Sequence, residues 1–175
     1  MTDVGLASIV VGISNIFGLC FMLLAVFGKY YSWIFLLLSQ GIWLAYTITE
    51  DKFDIVSLLI VILAIVALYF WRIIDFGYAS NKERVITWAV SFIAMGCCFL
   101  SPYYVTLSQH EIIFQIFTAA GIASLAFKTV DGWIWLLIAN LFYWQESVSD
   151  TITVIVIGCC LYGFGIYKWR RLITS

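Results

Sequence analysis

Seven long apolar runs divide the chain, at 8–28, 31–49, 53–72, 86–104, 110–128, 132–148 and 150–168. Each meets or approaches the about 20 apolar residues that carry an α-helix across a bilayer. The runs are unbroken and lack the alternation of a barrel strand, which excludes a transmembrane β-barrel. The loops are short apart from 73–85, and Pro102 is the single proline, so little kinking is expected. The pattern predicts one all-α integral membrane domain over 1–175, with too little chain for a second. The first run exceeds the about 7–15 residues of a signal-peptide core and no basic segment precedes it, so a retained transmembrane helix is expected.

The runs repeat. SWIFLLLSQGIWLAY from Ser32 aligns with the segment WIWLLIANLFYWQ that starts at Trp133. Trp33 falls on Trp133, Ile34 on Ile134, Leu36 on Leu136, Leu37 on Leu137, Gln40 on Asn140 and Trp43 on Tyr143. With a two-residue gap in the following turn, Tyr69, Trp71 and Arg72 fall on Tyr167, Trp169 and Arg170. A weak internal repeat in a membrane chain is a sign of a transporter built from two halves. Repeat one is placed at 8–72, a linker helix at 86–104 and repeat two at 110–169. Helices 1 and 5 run the same way across the membrane, so the repeats are parallel. Two parallel three-helix repeats joined by a linker helix, 3+1+3, is a SWEET-like arrangement.

Charge orients the bundle. One side of seven spans carries only Lys52; the other carries Lys29, Arg72, Lys82, Arg84, Lys128, Lys168, Arg170 and Arg171. Basic residues collect on the cytoplasmic side. The expected topology is therefore N-terminus outside and C-terminus cytoplasmic in the cell inner (plasma) membrane. The composition agrees, with 64% hydrophobic residues, 11% charged and a mean hydropathy of +1.05. A soluble domain carries about 25% charge. A net charge of −1 gives no case for nucleic-acid binding. The five cysteines all lie inside apolar runs without metal-ligand spacing and read as small apolar filler.

The candidate chemistry is a polar site inside the membrane. Gln40 and Asn140 lie near the centres of matching helices, and an amide at the bilayer midplane needs a partner in the protein, a cavity or a substrate. Interhelical bonding is the plain alternative for each. Trp33 and Trp133 lie seven residues before these amides, and Trp43 and Tyr143 three after; Trp144 is four after Asn140. An amide flanked by rings suits a flat heterocycle, stacked on its faces and bonded at its edge. The alternative for tryptophans near helix ends is the interfacial belt. Gln115, Thr118 and Tyr162 are further candidates, and Asn15, Ser57 and Thr153 could line the same space. His110 and Glu111 sit at the outer end of helix 5. No acid or base is placed near a midplane to couple transport to an ion. With no nucleophile–base pair, metal cluster or phosphate loop in the sequence, neither an enzyme nor a cofactor is expected.

These residues resemble the PnuC family of vitamin transporters. The match is clearest over 111–171: KTVDGW from Lys128 to Trp133, Asn140 seven residues on, Gly165 four residues before Trp169 and Arg170, and Glu111 at the start of helix 5. The segment YFW at 69–71 matches the family's ending to helix 3. The sequence departs from the pattern at Trp135, two residues after the first tryptophan of helix 6 instead of three, and at Ser57, where the family often has Gln. The resemblance implies a seven-helix SWEET-like fold, commonly a homotrimer. It also implies facilitated diffusion of an unphosphorylated nucleoside, nicotinamide riboside (vitamin B3), for NAD biosynthesis, driven by phosphorylation inside the cell. The partners expected are that small molecule, the lipid bilayer and further copies of the chain, with Gly96, Cys97 and Cys98 letting another helix approach helix 4. Riboflavin or thiamine as cargo, a SWEET-like sugar carrier and a non-transporting membrane scaffold are the competing readings.

Overall fold

The structure is a computed structural model that describes residues 3–51, 53–100, 109–143 and 148–174. Among the described residues it is all-α, with seven helices: α1 Asp3–Val26, α2 Ser32–Thr49, α3 Ile55–Phe70, α4 Asn81–Leu100, α5 Gln109–Ala126, α6 Asp131–Leu141 and α7 Val148–Thr174. Among the described residues, Ser8–Val26, Ser32–Thr49 and Ile152–Thr174 are long and apolar enough to cross a membrane, and Ile55–Phe70 is a shorter apolar helix.

Local chemistry sets the helix ends. Asp54 caps α3: its Oδ1 accepts the backbone N–H groups of Val56 (3.0 Å) and Ser57 (3.2 Å). Ser80 and Glu83 form a capping box on α4, the Ser80 N–H donating to Glu83 and the Glu83 N–H to Ser80 Oγ. The helix therefore starts at Asn81, before the apolar run expected from 86, because a solvated polar turn extends it. The opposite correction applies to α6, expected over 132–148. It leaves helical geometry at Phe142 (φ −98°, ψ 2°), whose N–H closes on Ala139 and Asn140. Asn140, Phe142 and Tyr143 are all weak helix formers. Asn140 thus lies in the last turn of α6 instead of near its centre.

The helices form a ring in which α1 packs on α2, α2 on α3, α3 on α5, α5 on α6, α6 on α7, and α7 back on α1. Helix α4 lies outside the ring against α5 and α3. Its inner stripe is Thr87, Val90, Ser91, Ala94 and Cys98, at helical spacing. Cys98 therefore faces the core, contrary to the expectation that it offers a surface to another subunit; Gly96 is exposed and Cys97 half-buried.

The turns after α1 and α5 have the same hydrogen bonds, 100 residues apart. Gly28 N–H donates to Ala25 O and Lys128 N–H to Leu125 O; Lys29 N–H donates to Leu24 O and Thr129 N–H to Ser124 O. Gly28 (φ 65°) and Lys128 (φ 52°) share the left-handed conformation that closes each turn.

One end of the ring is sealed by four tryptophans that are essentially without solvent contact: Trp33, Trp71, Trp133 and Trp169. Trp33 meets Trp71 edge-on at 5.3 Å, Trp133 meets Trp169 edge-on at 5.5 Å, and Trp71 joins Trp169 at 5.8 Å. The indole of Trp71 donates to Leu125 O in the last turn of α5 (2.9 Å). That of Trp169 donates to Ala25 O (3.1 Å) and Val26 O (3.2 Å) in the last turn of α1. Each ring thereby satisfies carbonyls that a helix end leaves open. The segment between α3 and α4 crosses this layer and adds Phe76, 4.9 Å from Trp169, with the Lys128 ammonium 4.8 Å above its ring. Gly77 pairs with the α5–α6 turn through Lys128 O and Val130 N–H.

Candidate functional site

A cavity of about 320 Å³ occupies the half of the ring away from the tryptophan layer. Helix α1 contributes Val11, Ser14 and Asn15; α2 contributes Ser39, Gln40 and Trp43; α3 and its cap contribute Asp54, Val56, Ser57 and Ile60; α5 contributes Phe114, Gln115 and Thr118; Tyr143 follows α6. Helical spacing explains the grouping. Ser14 with Asn15, Ser39 with Gln40 and Trp43, and Gln115 with Thr118 each sit within one turn on one face.

Asp54 organises the polar wall and is 2% exposed. Beyond its capping bonds, its Oδ2 accepts the Ser57 hydroxyl (2.7 Å) and the Trp43 indole N–H (3.1 Å). The Trp43 ring, also 5.9 Å from Tyr46, is thus held at a fixed angle to the cavity. Phe114 and Tyr143 meet edge-on at 5.4 Å on the α5 side. The Ser39 hydroxyl donates to Ser14 O (2.8 Å), tying α2 to α1. Two buried oxygens lining the space, Ser14 Oγ and Gln115 Oε1, have no hydrogen-bond partner among the described residues. Buried polar atoms are normally satisfied, so orphans facing a cavity mark where water or a ligand bonds.

The sequence-derived candidates divide. Gln40, Trp43, Gln115, Thr118 and Tyr143 are brought together on the cavity. Trp33 and Trp133 lie in the sealed tryptophan layer, and Tyr162 packs on Trp133 with ring centroids 6.4 Å apart. Asn140 is turned towards α7, where its Nδ2 donates to Ile155 O (2.8 Å) and approaches Cys159 Sγ (3.7 Å). Gly158 makes room for it, because a Cβ there would meet the amide. Gln40 and Asn140, though aligned in sequence, therefore have different surroundings. Trp144 lies outside the described residues. Asp54 and Phe114 were not among the candidates. The signal for Asp54 was available: an acid directly before an apolar run with Ser57 three residues on, a helix start.

A second, smaller cavity of about 200 Å³ lies between α4 and α6. Arg84 and Asp131, 3.6 Å apart, form an ion pair at its wall, beside Trp88 and Trp135.

No protein-family model and no curated protein sequence matches the chain. The structure is similar to the crystal structure of the vitamin B3 transporter PnuC, with a TM-score of 0.67 and 13% sequence identity over 95% of this chain and 83% of that one. The likeness covers nearly the whole chain, which has a PnuC-like fold.

Proposed function

We propose that this protein is a membrane transporter for a vitamin or nucleoside, with nicotinamide riboside the best-fitting cargo, moved into the cytoplasm by facilitated diffusion. The observation that carries the reading is the aromatic and amide-lined cavity in a PnuC-like fold. Its volume lies within the about 300–1,000 Å³ typical of small-molecule sites. Trp43, Phe114 and Tyr143 offer ring faces, and Gln40, Gln115 and Thr118 offer edge partners. The candidates away from the cavity, Trp33, Trp133, Asn140 and Tyr162, act in this reading by fixing the helices that carry it.

The matched turns and reciprocal tryptophan bonds support a bundle of two parallel three-helix halves, α1–α3 and α5–α7, with α4 as linker. In that frame the cavity lies in the outer half, under the basic-residue orientation, and the tryptophan layer closes the cytoplasmic end. This is an outward-facing arrangement of an alternating-access carrier. Thiol labelling of intact cells checks the orientation. Over the wild-type background, Glu50→Cys should react with an impermeant reagent and Lys82→Cys should not; the reverse pattern inverts the topology. Association into a homo-oligomer, with the exposed face of α4 at the contact, belongs to the same proposal.

Thermal-shift measurements on protein purified in mild detergent test the cargo. Nicotinamide riboside at about 100 times its Kd should stabilise by about 2.7 kcal/mol, a rise of a few degrees in midpoint. Riboflavin, thiamine and glucose should do less. Stabilisation by glucose alone would move the assignment to a sugar carrier, and none by any compound would favour a scaffold.

A further inference from the structure

We infer that the crevice between α4 and the α5–α6 pair is a binding site for one phospholipid whose zwitterionic headgroup ends in a primary ammonium, as in phosphatidylethanolamine. The inference needs the chain to lie in a membrane but does not rest on the transport reading.

Two cavities adjoin there. The polar one, about 200 Å³, holds Arg84 and Asp131. The other, about 250 Å³, is lined by Ser91, Phe92 and Met95 of α4 and by Ile113, Ile116 and Phe117 of α5. Trp88 and Trp135 line both and mark their junction. Arg84 and Asp131 each precede one of these tryptophans by four positions, which puts charge and ring on one helix face a turn apart. The two indoles meet edge-on at 5.3 Å, and Trp135 stacks on Phe117 at 5.5 Å. Ion pair, tryptophans, then apolar side chains is the order in which a phospholipid presents its headgroup, interface and acyl chain. The length agrees. Met95 lies about 16 Å along α4 from Arg84, at 1.5 Å per residue. One leaflet contributes about 15 Å of hydrocarbon.

The ion pair sets the headgroup chemistry. Arg84 Nε stands 3.6 Å from Asp131 Oδ2, beyond hydrogen-bond length, and that oxygen is buried with no hydrogen-bond partner among the described residues. A buried carboxylate oxygen calls for a donor. Arg84 is 57% exposed, and a guanidinium presents a fork of N–H donors that fits a phosphate. A cation beside an anion in one small cavity thus matches a phosphate beside an ammonium. A primary ammonium brings three N–H donors to the carboxylate. A choline headgroup has the same charges but no N–H, and a glycerol headgroup puts a net anion beside Asp131. The exposed Ile86 and Ile93 lie on the opposite flank of α4, so a lipid here leaves that flank to a neighbouring copy.

Native mass spectrometry of the full-length protein in mild detergent tests the site. Phosphatidylethanolamine, phosphatidylcholine and phosphatidylglycerol with the same acyl chains are titrated separately, and binding of the first lipid per chain is followed. The wild type should bind the ethanolamine lipid about tenfold more tightly than the choline lipid, the size of one charge-assisted bond of about 1.4 kcal/mol. Asp131→Ala should bring that ratio close to one. Arg84→Gln should weaken both lipids and keep the preference. Equal affinities in the wild type, tighter binding of the glycerol lipid, or an unchanged ratio in Asp131→Ala overturns the site. So does a chain that takes up no lipid because a second copy fills the crevice. Should Asp131→Ala fail to fold, Met95→Trp, which narrows the apolar crevice away from the ion pair, should lower affinity for the ethanolamine lipid; an unchanged affinity overturns the site equally. All of these outcomes leave the cargo measurement untouched.

Discussion

Replacing Trp169 with alanine should destabilise the protein by about 3–5 kcal/mol, the range for truncating a fully buried aromatic residue. Trp169 contacts Trp71, Trp133 and Phe76, and its indole N–H is shared between two carbonyls at the end of α1. Truncation would open a cavity at the closed end of the ring and remove the hydrogen bonds that join α7 to the last turn of α1. Tyr167→Ala, two residues earlier on the same helix, is the control, because Tyr167 is 55% exposed and its hydroxyl accepts a bond from Arg171 on its own helix. Unfolding midpoints in mild detergent should separate the two variants by many degrees. Equal midpoints would mean that the tryptophan layer does not hold the two sides of the bundle together.

Gly132→Ala should be the most damaging addition of a single methyl group, with a cost of about 1–3 kcal/mol or more and poor recovery of folded protein. A Cβ at Gly132 would lie 2.7 Å from Leu125 N and 2.8 Å from Gly121 O, both backbone atoms that have no rotamer by which to move aside. The matching glycine across the contact, Gly121, would place a Cβ 3.1 Å from Gly132 O. Helices α5 and α6 thus meet backbone to backbone, as small residues allow in membrane bundles. Gly163→Ala, whose Cβ would meet nothing within 4 Å, should by contrast leave stability unchanged or improve it. If both variants purify equally well and melt together, the close α5–α6 approach is not required.

The sequence made some of this legible and hid the rest for physical reasons. The aligned tryptophans and the closing basic residues pointed to matched segments, and the turns around Gly28 and Lys128 have the same bonding. Depth was harder to read. Trp33 lies seven residues before Gln40, which keeps it on one face but shifts it about 10 Å along the axis at 1.5 Å per residue. That distance separates the sealed tryptophan layer from the cavity. The apolar run around Asn140 outlasts the helix and so suggests a midplane depth; because α6 ends at Leu141, the amide sits in a last turn and reaches α7. Asp54 looked like one more acid in an outer loop, because hydropathy weighs charge without asking what it bonds. Its capping bonds are local and follow from its place before the apolar run, but its role as anchor for Trp43 depends on the α2–α3 packing, which has no signature of its own in the run of residues.

Counterflow in proteoliposomes tests the central claim most directly. Vesicles holding the purified wild-type protein and loaded with unlabelled nicotinamide riboside should take up labelled nicotinamide riboside from outside, with or without a sodium or proton gradient. Gln115→Leu, which removes a cavity amide and keeps a side chain of similar length, should slow the exchange about tenfold, the loss expected for a buried bond of about 1–1.5 kcal/mol. Exchange no faster than in protein-free vesicles, for folded protein with the cavity intact, would contradict a transporter of this cargo.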